Sequence, residues 1–282
     1  MIKIDCHSHT IASDGALTPE ALVAMAEKMQ LTHLAVTDHD TMASVAKATQ
    51  AAIGTGVTVI PGVEISVTWL GRTIHVLGLN VDIHNAELLE GLRGLLKVRG
   101  DRAVKIAEGL EKVGVKQPLE HVKTFAKGEL ISRTHFAQVL IEQGFANNVK
   151  QVFKRYLVNK KPGAVEGDWA PLADAVSWIT AAGGDAVIAH PARYKLTRTK
   201  LIQLIGDFKN AGGVGLEVVS SSHSSNEIHI FADLAVKQEM FASRGSDYHG
   251  LEGQWAKLGH IADLPKKCVP IWSKWGLETT PV

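Results

Sequence analysis

The sequence predicts an α/β protein, a parallel sheet or barrel interrupted by one helical lobe. Three observations carry that reading. Short β-branched runs alternate with amphipathic helical stretches through the first 80 residues, strand signal fades over 85–160, and the alternation then resumes. Residues 2–5 are the first β-branched run. Thr18, Pro19 and Glu20 supply an N-cap, a proline at the first helical position and an acid in the first turn. Leu22, Met25, Ala26 and Met29 follow at helical spacing. Residues 33–36 read as the second strand, 43–53 as a helix, 57–60 as a strand ended by Pro61-Gly62, and 72–79 as the fourth strand. One long helix is predicted over 88–113, with others over 133–143 and 148–157. After the lobe come helix 172–182, strand 185–189, helix 199–211, strand 215–219, helix 226–238 and strand 240–243. A short tail from Leu258 carries Trp272 and Trp275. The expected organisation is a barrel of residues 1–84 and 161–282 with a helical insertion, 85–160, over its cleft.

Composition bounds the function. Across 282 residues, 30 Lys+Arg against 29 Asp+Glu leave a net charge of +1, so phosphate binding has to come from local clusters. No apolar run approaches the roughly 18 residues of a membrane span. Asp5 and His7 fall where a signal peptide would be apolar. Cys6 and Cys268 are too few for a disulfide framework, so a cytoplasmic setting is expected. The unusual count is 13 histidines.

Metal-type ligands gather at strand ends. Alternate residues of an extended chain share a face, so Asp5, His7 and His9 point one way and Cys6 and Ser8 the other. Two imidazoles and a carboxylate there suit a divalent metal. The second strand runs into Asp38-His39-Asp40 and the third into Glu64; the fourth carries His75. His190-Pro191 follows the strand at 185–189, and the last strand runs into Asp247 and His249. Such groups need partners or metals when buried, and strand ends of a parallel barrel converge on one mouth. The joint pattern predicts a polynuclear metal site for Mn2+, Fe2+ or Zn2+.

Other residues take plainer readings. Asp38 and Asp40 are expected to orient His39, His33 to be a core histidine, and His84, His121, His229 and His260 to be solvated. His223 falls in an expected flexible loop, 220–225. Cys6 reads as a small buried apolar residue, and the tryptophans as packing. Arg99 and Arg102 on the long helix, and Ser132, Arg133 and His135 opening the next, offer grips for phosphate. Arg133 suits bidentate recognition, and a helix N-terminus adds amide donors. Arg193 reaches the mouth from the barrel side. Lys150, Lys154, Arg155, Lys160 and Lys161 form a looser basic stretch, read as a solubilising face with RNA binding as the alternative.

Together, Asp5-x-His7-x-His9, the Thr37-Asp38-His39-Asp40 segment, Pro61-Gly62-Val63-Glu64, His75, His190-Pro191 and Asp247-x-His249 resemble the polymerase and histidinol phosphatase (PHP) family, over nearly the whole chain. The resemblance implies a metal-dependent phosphoesterase on a distorted (β/α)7 barrel. It implies three divalent ions, Mn2+, held by His7, His9, Asp14, His39, Glu64, His75, His190, Asp247 and His249. The finer pattern, including HSHTIASDGALTPEALV, SRTHFAQVL and AHPARY, is similar to members that act on nucleoside 3',5'-bisphosphates or trim 5'-monophosphorylated RNA from its 5' end.

Roles follow from that resemblance. Asp247 ligates metal and accepts a proton, Arg193 neutralises charge on phosphoryl oxygens, and His135 assists the leaving oxygen or holds phosphate. Arg99, Arg102, Ser132 and Arg133 bind substrate. No membrane and no obligate protein partner are expected. The competing enzyme reading is a small-molecule phosphomonoesterase such as histidinol phosphatase. A non-catalytic barrel is disfavoured because no ligand position is lost.

Overall fold

The computed structural model describes residues 2–158, 160–250 and 256–277. Its strands are β1 (Ile4–Asp5), β2 (His33–Val36), β3 (Thr58–Trp69), β4 (Arg72–Leu79), β5 (Ala170–Pro171), β6 (Asp185–Ile188), β7 (Gly215–Ser220) and β8 (Phe241–Gly245). They form one sheet in the order β1-β2-β3-β4-β6-β7-β8, with β5 joined to β3 alone. The path nearly closes on itself. Cys6 N–H donates to Arg244 O, Asp247 N–H to His7 O and His9 N–H to Tyr248 O, each at 2.9 Å, so the first and last strands lie side by side.

Two strand expectations are corrected. Pro61-Gly62 does not end β3, which runs on to Trp69. Pro61, with no N–H to leave unpaired, stands at the last register position with β2, opposite Val36, and its carbonyl accepts Val81 N–H. Gly62 sits where a Cβ would meet the Thr37 methyl at 2.8 Å. Nor is β4 parallel. It pairs antiparallel with both β3 and β6, because Leu70 and Gly71 take φ of 46° and 71° and make a two-residue hairpin.

Helices α1 (Pro19–Lys28) and α2 (Val45–Ala52) flank the first strands; Thr18 Oγ1 caps α1 as expected, accepting Ala21 N–H. The inserted segment holds α3 (Ala86–Glu111), α4 (Pro118–Phe125), α5 (Arg133–Glu142) and α6 (Val149–Val152), which runs into a π-helical turn, Phe153–Leu157. Then α7 (Leu172–Ala181), α8 (Arg198–Asn210) and α9 (Ser225–Lys237) complete the outer layer. The start of α3 packs Leu88, Leu92 and Leu95 into the barrel's outer core. Its second half packs Ala103, Ile106 and Leu110 with Phe136, Leu140, Val152 and Leu157 in a separate core. A third cluster joins Ile4, Ala35, Leu77, Val187 and Ala189 to Trp272, which is the packing role expected of that tryptophan. Among the described residues no helix is long and apolar enough to cross a membrane.

Candidate metal centre

Glu64, fully buried on β3, lies at the centre of the polar cluster. Its Oε2 is 3.3 Å from Nε2 of both His7 and His9 and 3.0 Å from His39 Nδ1. Its Oε1 is 2.8 Å from His75 Nδ1 and 2.9 Å from His190 Nε2. Asp247 Oδ1 faces His7 and His9 Nε2 at 3.4 and 3.2 Å, and Asp14 Oδ1 faces His249 Nε2 at 3.2 Å. Three overlapping donor groups result: His9, Asp14, His39 and His249; His7, His9, Glu64 and Asp247; His39, Glu64 and His75. His190 belongs to none of them but closes on Glu64.

The donor set fits divalent metals. His7 Nε2, His9 Nε2, Asp14 Oδ1, His39 Nδ1, Glu64 Oε2 and His190 Nδ1 are all buried with no hydrogen bond among the described residues. So many orphaned atoms in one place would be costly unless something else bonds them. Backbone strain collects there too: His190 and Asp247 hold φ of 27° and 53°. Burial alone would raise the Glu64 carboxyl, but His39, His75 and His7 hold it well below the usual carboxylate range. Asp247 is likewise held low against burial by Arg193 and His7, and Asp14 by His249 and His39. Burial pushes His190 down to about 4, which favours the neutral imidazole a metal would need.

A cavity of about 330 Å3 opens on this cluster, with Asp14, His39, His75, Asp247 and His249 on one wall and helical-lobe residues on the other. Arg99 and Arg102 lie over the Trp169 ring, 5.1 and 5.4 Å from its centroid, and Arg133 lies 5.6 Å from the Phe153 ring. Of these three, Arg99 alone has an acidic ion-pair partner among the described residues, Asp40. Burial and the neighbouring guanidiniums of Arg133 and Arg99 push Arg102 down to about 9, and burial and Arg99 lower Arg133 as well. The lobe wall is therefore electropositive. Arg193, ion-paired with Asp247, joins the two walls.

The family model for the PHP domain matches residues 5–166. The chain belongs to the PHP family. It is 42% identical to the 3',5'-nucleoside bisphosphate phosphatase of Chromobacterium violaceum over 96% of both chains. It is 41% identical to the 5'-3' exoribonuclease Rnm of Escherichia coli K12, over 96% of this chain and 93% of the relative. A solved structure from Chromobacterium violaceum, described as an amidohydrolase with bound sulfate and no metal, matches with a TM-score of 0.93 at 42% identity, covering 97% of this chain and 96% of that one.

Within this PHP centre several expectations change. Asp5 shares the His7 face but stays out of the donor groups; its carboxylate accepts N–H bonds from His7, Ser246 and Gly259, pinning β1 to β8. Asp38 and Asp40 do not orient His39. Asp38 accepts from Thr10, Ser13 and Ser44 and shapes the loop that carries Asp14, while Asp40 accepts Ser66 N–H and pairs with Arg99. Arg99 is thus partly spent on a structural pair. The 220–225 segment is a short turn, with His223 buried against Phe231 and its Nδ1 on Val218 O. His135 Nδ1 accepts Ser132 N–H in a capping box, leaving Nε2 as its free nitrogen.

Two supporting groups were missed. Glu217, fully buried on β7, places Oε1 3.0 Å from His7 Nδ1 and accepts His190 N–H on Oε2 at 2.6 Å. Tyr194 Oη donates to Ala189 O and accepts His75 N–H, bracing β4 against the end of β6. A carboxylate inside the apolar run Leu216-Glu217-Val218-Val219 was the available signal for the first.

Proposed function

We propose that this chain is a hydrolase that removes the 3'-phosphate of nucleoside 3',5'-bisphosphates and trims 5'-monophosphorylated RNA from the 5' end, releasing nucleoside 5'-monophosphates. The observation that carries this reading is the pairing of two walls in one cavity: the histidine–carboxylate cluster with its metal-type donors, and Arg102 and Arg133, which form no ion pair among the described residues. A substrate with two phosphates satisfies both. A simple monoester, the alternative, has no use for the second. The names of the relatives support the same substrates.

The three Mn2+ ions that the resemblance implies would be held by His7, His9, Asp14, His39, Glu64, His75, His190, Asp247 and His249, a donor set that suits divalent metals. When bound, such ions supply Lewis-acid stabilisation and lower the pKa of a water. The chain's own residues do the rest. Arg133, with Ser132 and the N-terminus of α5, grips the 5'-phosphate, helped by Arg102. That grip sets which phosphorus reaches the cluster: a terminal 3'-phosphate or the first phosphodiester. Arg193 pairs with equatorial oxygens as charge builds. Because His135 accepts at Nδ1 and burial lowers its pKa, its neutral form carries the proton at Nε2, where it donates to the leaving oxygen or to phosphate. Asp247 accepts the proton of the attacking water. Residues 85–160 serve as the lobe that closes the cleft, and the two free buried cysteines support a cytoplasmic setting.

Product analysis of Mn2+-loaded protein tests this. Stepwise nucleoside 5'-monophosphates from 5'-phosphorylated RNA, little from its 5'-hydroxyl copy, and phosphate from adenosine 3',5'-bisphosphate are expected. Equal rates on both RNA ends would remove the anchoring idea, and hydrolysis of simple monoesters alone would favour the small-molecule phosphatase.

A further inference from the structure

The wall of the cavity formed by α6 and the following π-turn carries an unbalanced charge. Residues 143–165 contain Lys150, Lys154, Arg155, Lys160 and Lys161 and no acid, although the chain as a whole is balanced. Removing those five cations from 30 Lys+Arg leaves 25 against 29 Asp+Glu, so the rest of the molecule is net −4. All five side chains are exposed, and none has a hydrogen bond or ion pair among the described residues. Val149 and Phe153 of the same segment line the cavity, and Lys150 and Lys154 each follow one of them by a single position. Lys150 and Lys154 therefore stand beside the stretch that lines the cavity, next to the half-buried Phe153, and Arg155, Lys160 and Lys161 continue the cation row along the chain.

We infer that this rim is a binding surface for the nucleotides of an RNA substrate downstream of the cleaved bond. The inference rests on the proposed function and extends it, naming which substrates gain from the lobe. A bisphosphonucleotide ends at the reacting phosphate and never meets the rim; an oligonucleotide leaves the mouth with a phosphate on every further residue. Cations beside an aromatic face suit single strands without selecting sequence. The other way out of the cavity is less suitable. The neighbouring groove, which shares Thr73 and Arg193 with it, has Arg72 but also the exposed carboxylates of Glu166 and Asp168.

The test compares wild type with K150A/K154A/R155A and, separately, K160E/K161E. Mn2+-loaded protein is assayed on adenosine 3',5'-bisphosphate and on a 5'-phosphorylated RNA decamer. Binding of the fluorescent decamer is followed in chelator across a salt series. Expected are a tenfold or greater rise in KM for the decamer, unchanged kcat/KM for the bisphosphonucleotide, and a salt slope smaller by about 2 for the triple variant, at about 0.7 per phosphate contact. Unchanged decamer KM and salt slope in both variants would overturn the rim while leaving the proposed function standing. Wild-type protein inactive on both substrates would overturn the proposed function itself.

Discussion

Glu217 and His7 are 210 positions apart in the chain, yet the Glu217 carboxylate lies 3.0 Å from His7 Nδ1, fully buried, with its other oxygen on the His190 amide. One side chain on β7 thus ties together two segments that carry candidate metal ligands. Carboxylates behind ligating histidines fix the tautomer and raise basicity. Glu217→Gln is expected to weaken Mn2+ binding by about 10- to 100-fold. Metal titration followed by calorimetry checks it, with circular dichroism confirming an intact fold.

Protons and metals compete for the same nitrogens. Burial alone would lower His7 and His9, but Glu64 and Glu217 raise His7 well above the ordinary range, and Asp247 and Glu64 bring His9 to about 9. With both raised above the ordinary range, metal loading at pH 7 is expected to displace protons from them. Calorimetry in buffers of differing ionisation enthalpy measures the number.

The same shifts predict a stability profile. A histidine whose folded pKa lies above its unfolded value of 6.5 contributes stability fully present below pH 6.5 and lost as pH rises toward 9. Metal-free protein should therefore melt lower at pH 9 than at pH 6.5. A flat melting curve across that window in chelator would contradict it.

Asp40 and Arg99 form a buried pair between the His39 loop and α3. Removing one partner strands the other charge, so Asp40→Ala should cost about 3–5 kcal/mol in urea unfolding. The double replacement of Asp40 and Arg99 by apolar residues should recover part of that loss.

Arg133 lines the cavity and forms no ion pair among the described residues. Loss of a charge-assisted contact of about 1.5–3 kcal/mol makes Arg133→Ala about 10- to 150-fold poorer in kcat/KM on 5'-phosphorylated substrates. Arg133→Lys should recover little, because a point charge cannot replace the planar fork. Steady-state kinetics on adenosine 3',5'-bisphosphate decides between these outcomes.

The legible part of the site was the part written in local order. His7 and His9 come together as strand alternation alone suggests, and Asp247 and His249 repeat the spacing just past the last strand. The same local rule misplaced Asp5, which points with His7 but is consumed by three backbone amides. It also misread Asp40, whose partner lies on α3. Pro61-Gly62 looked like a strand end because a proline without an N–H usually stops pairing; here it falls where β3 changes partner from β2 to β4.

By itself the sequence determined which residue types stand at strand ends, where the helical lobe interrupts the alternation, and which arginines and histidines offer chemistry. Those are properties of periodicity and side-chain identity within a few residues. The tertiary structure alone decided that β4 runs antiparallel, that β1 closes on β8, that Glu217 backs His7, and that Trp169 carries two guanidiniums. Each of these joins residues far apart in the chain, and such contacts exist only once the barrel has closed and burial has forced every polar group to find a partner.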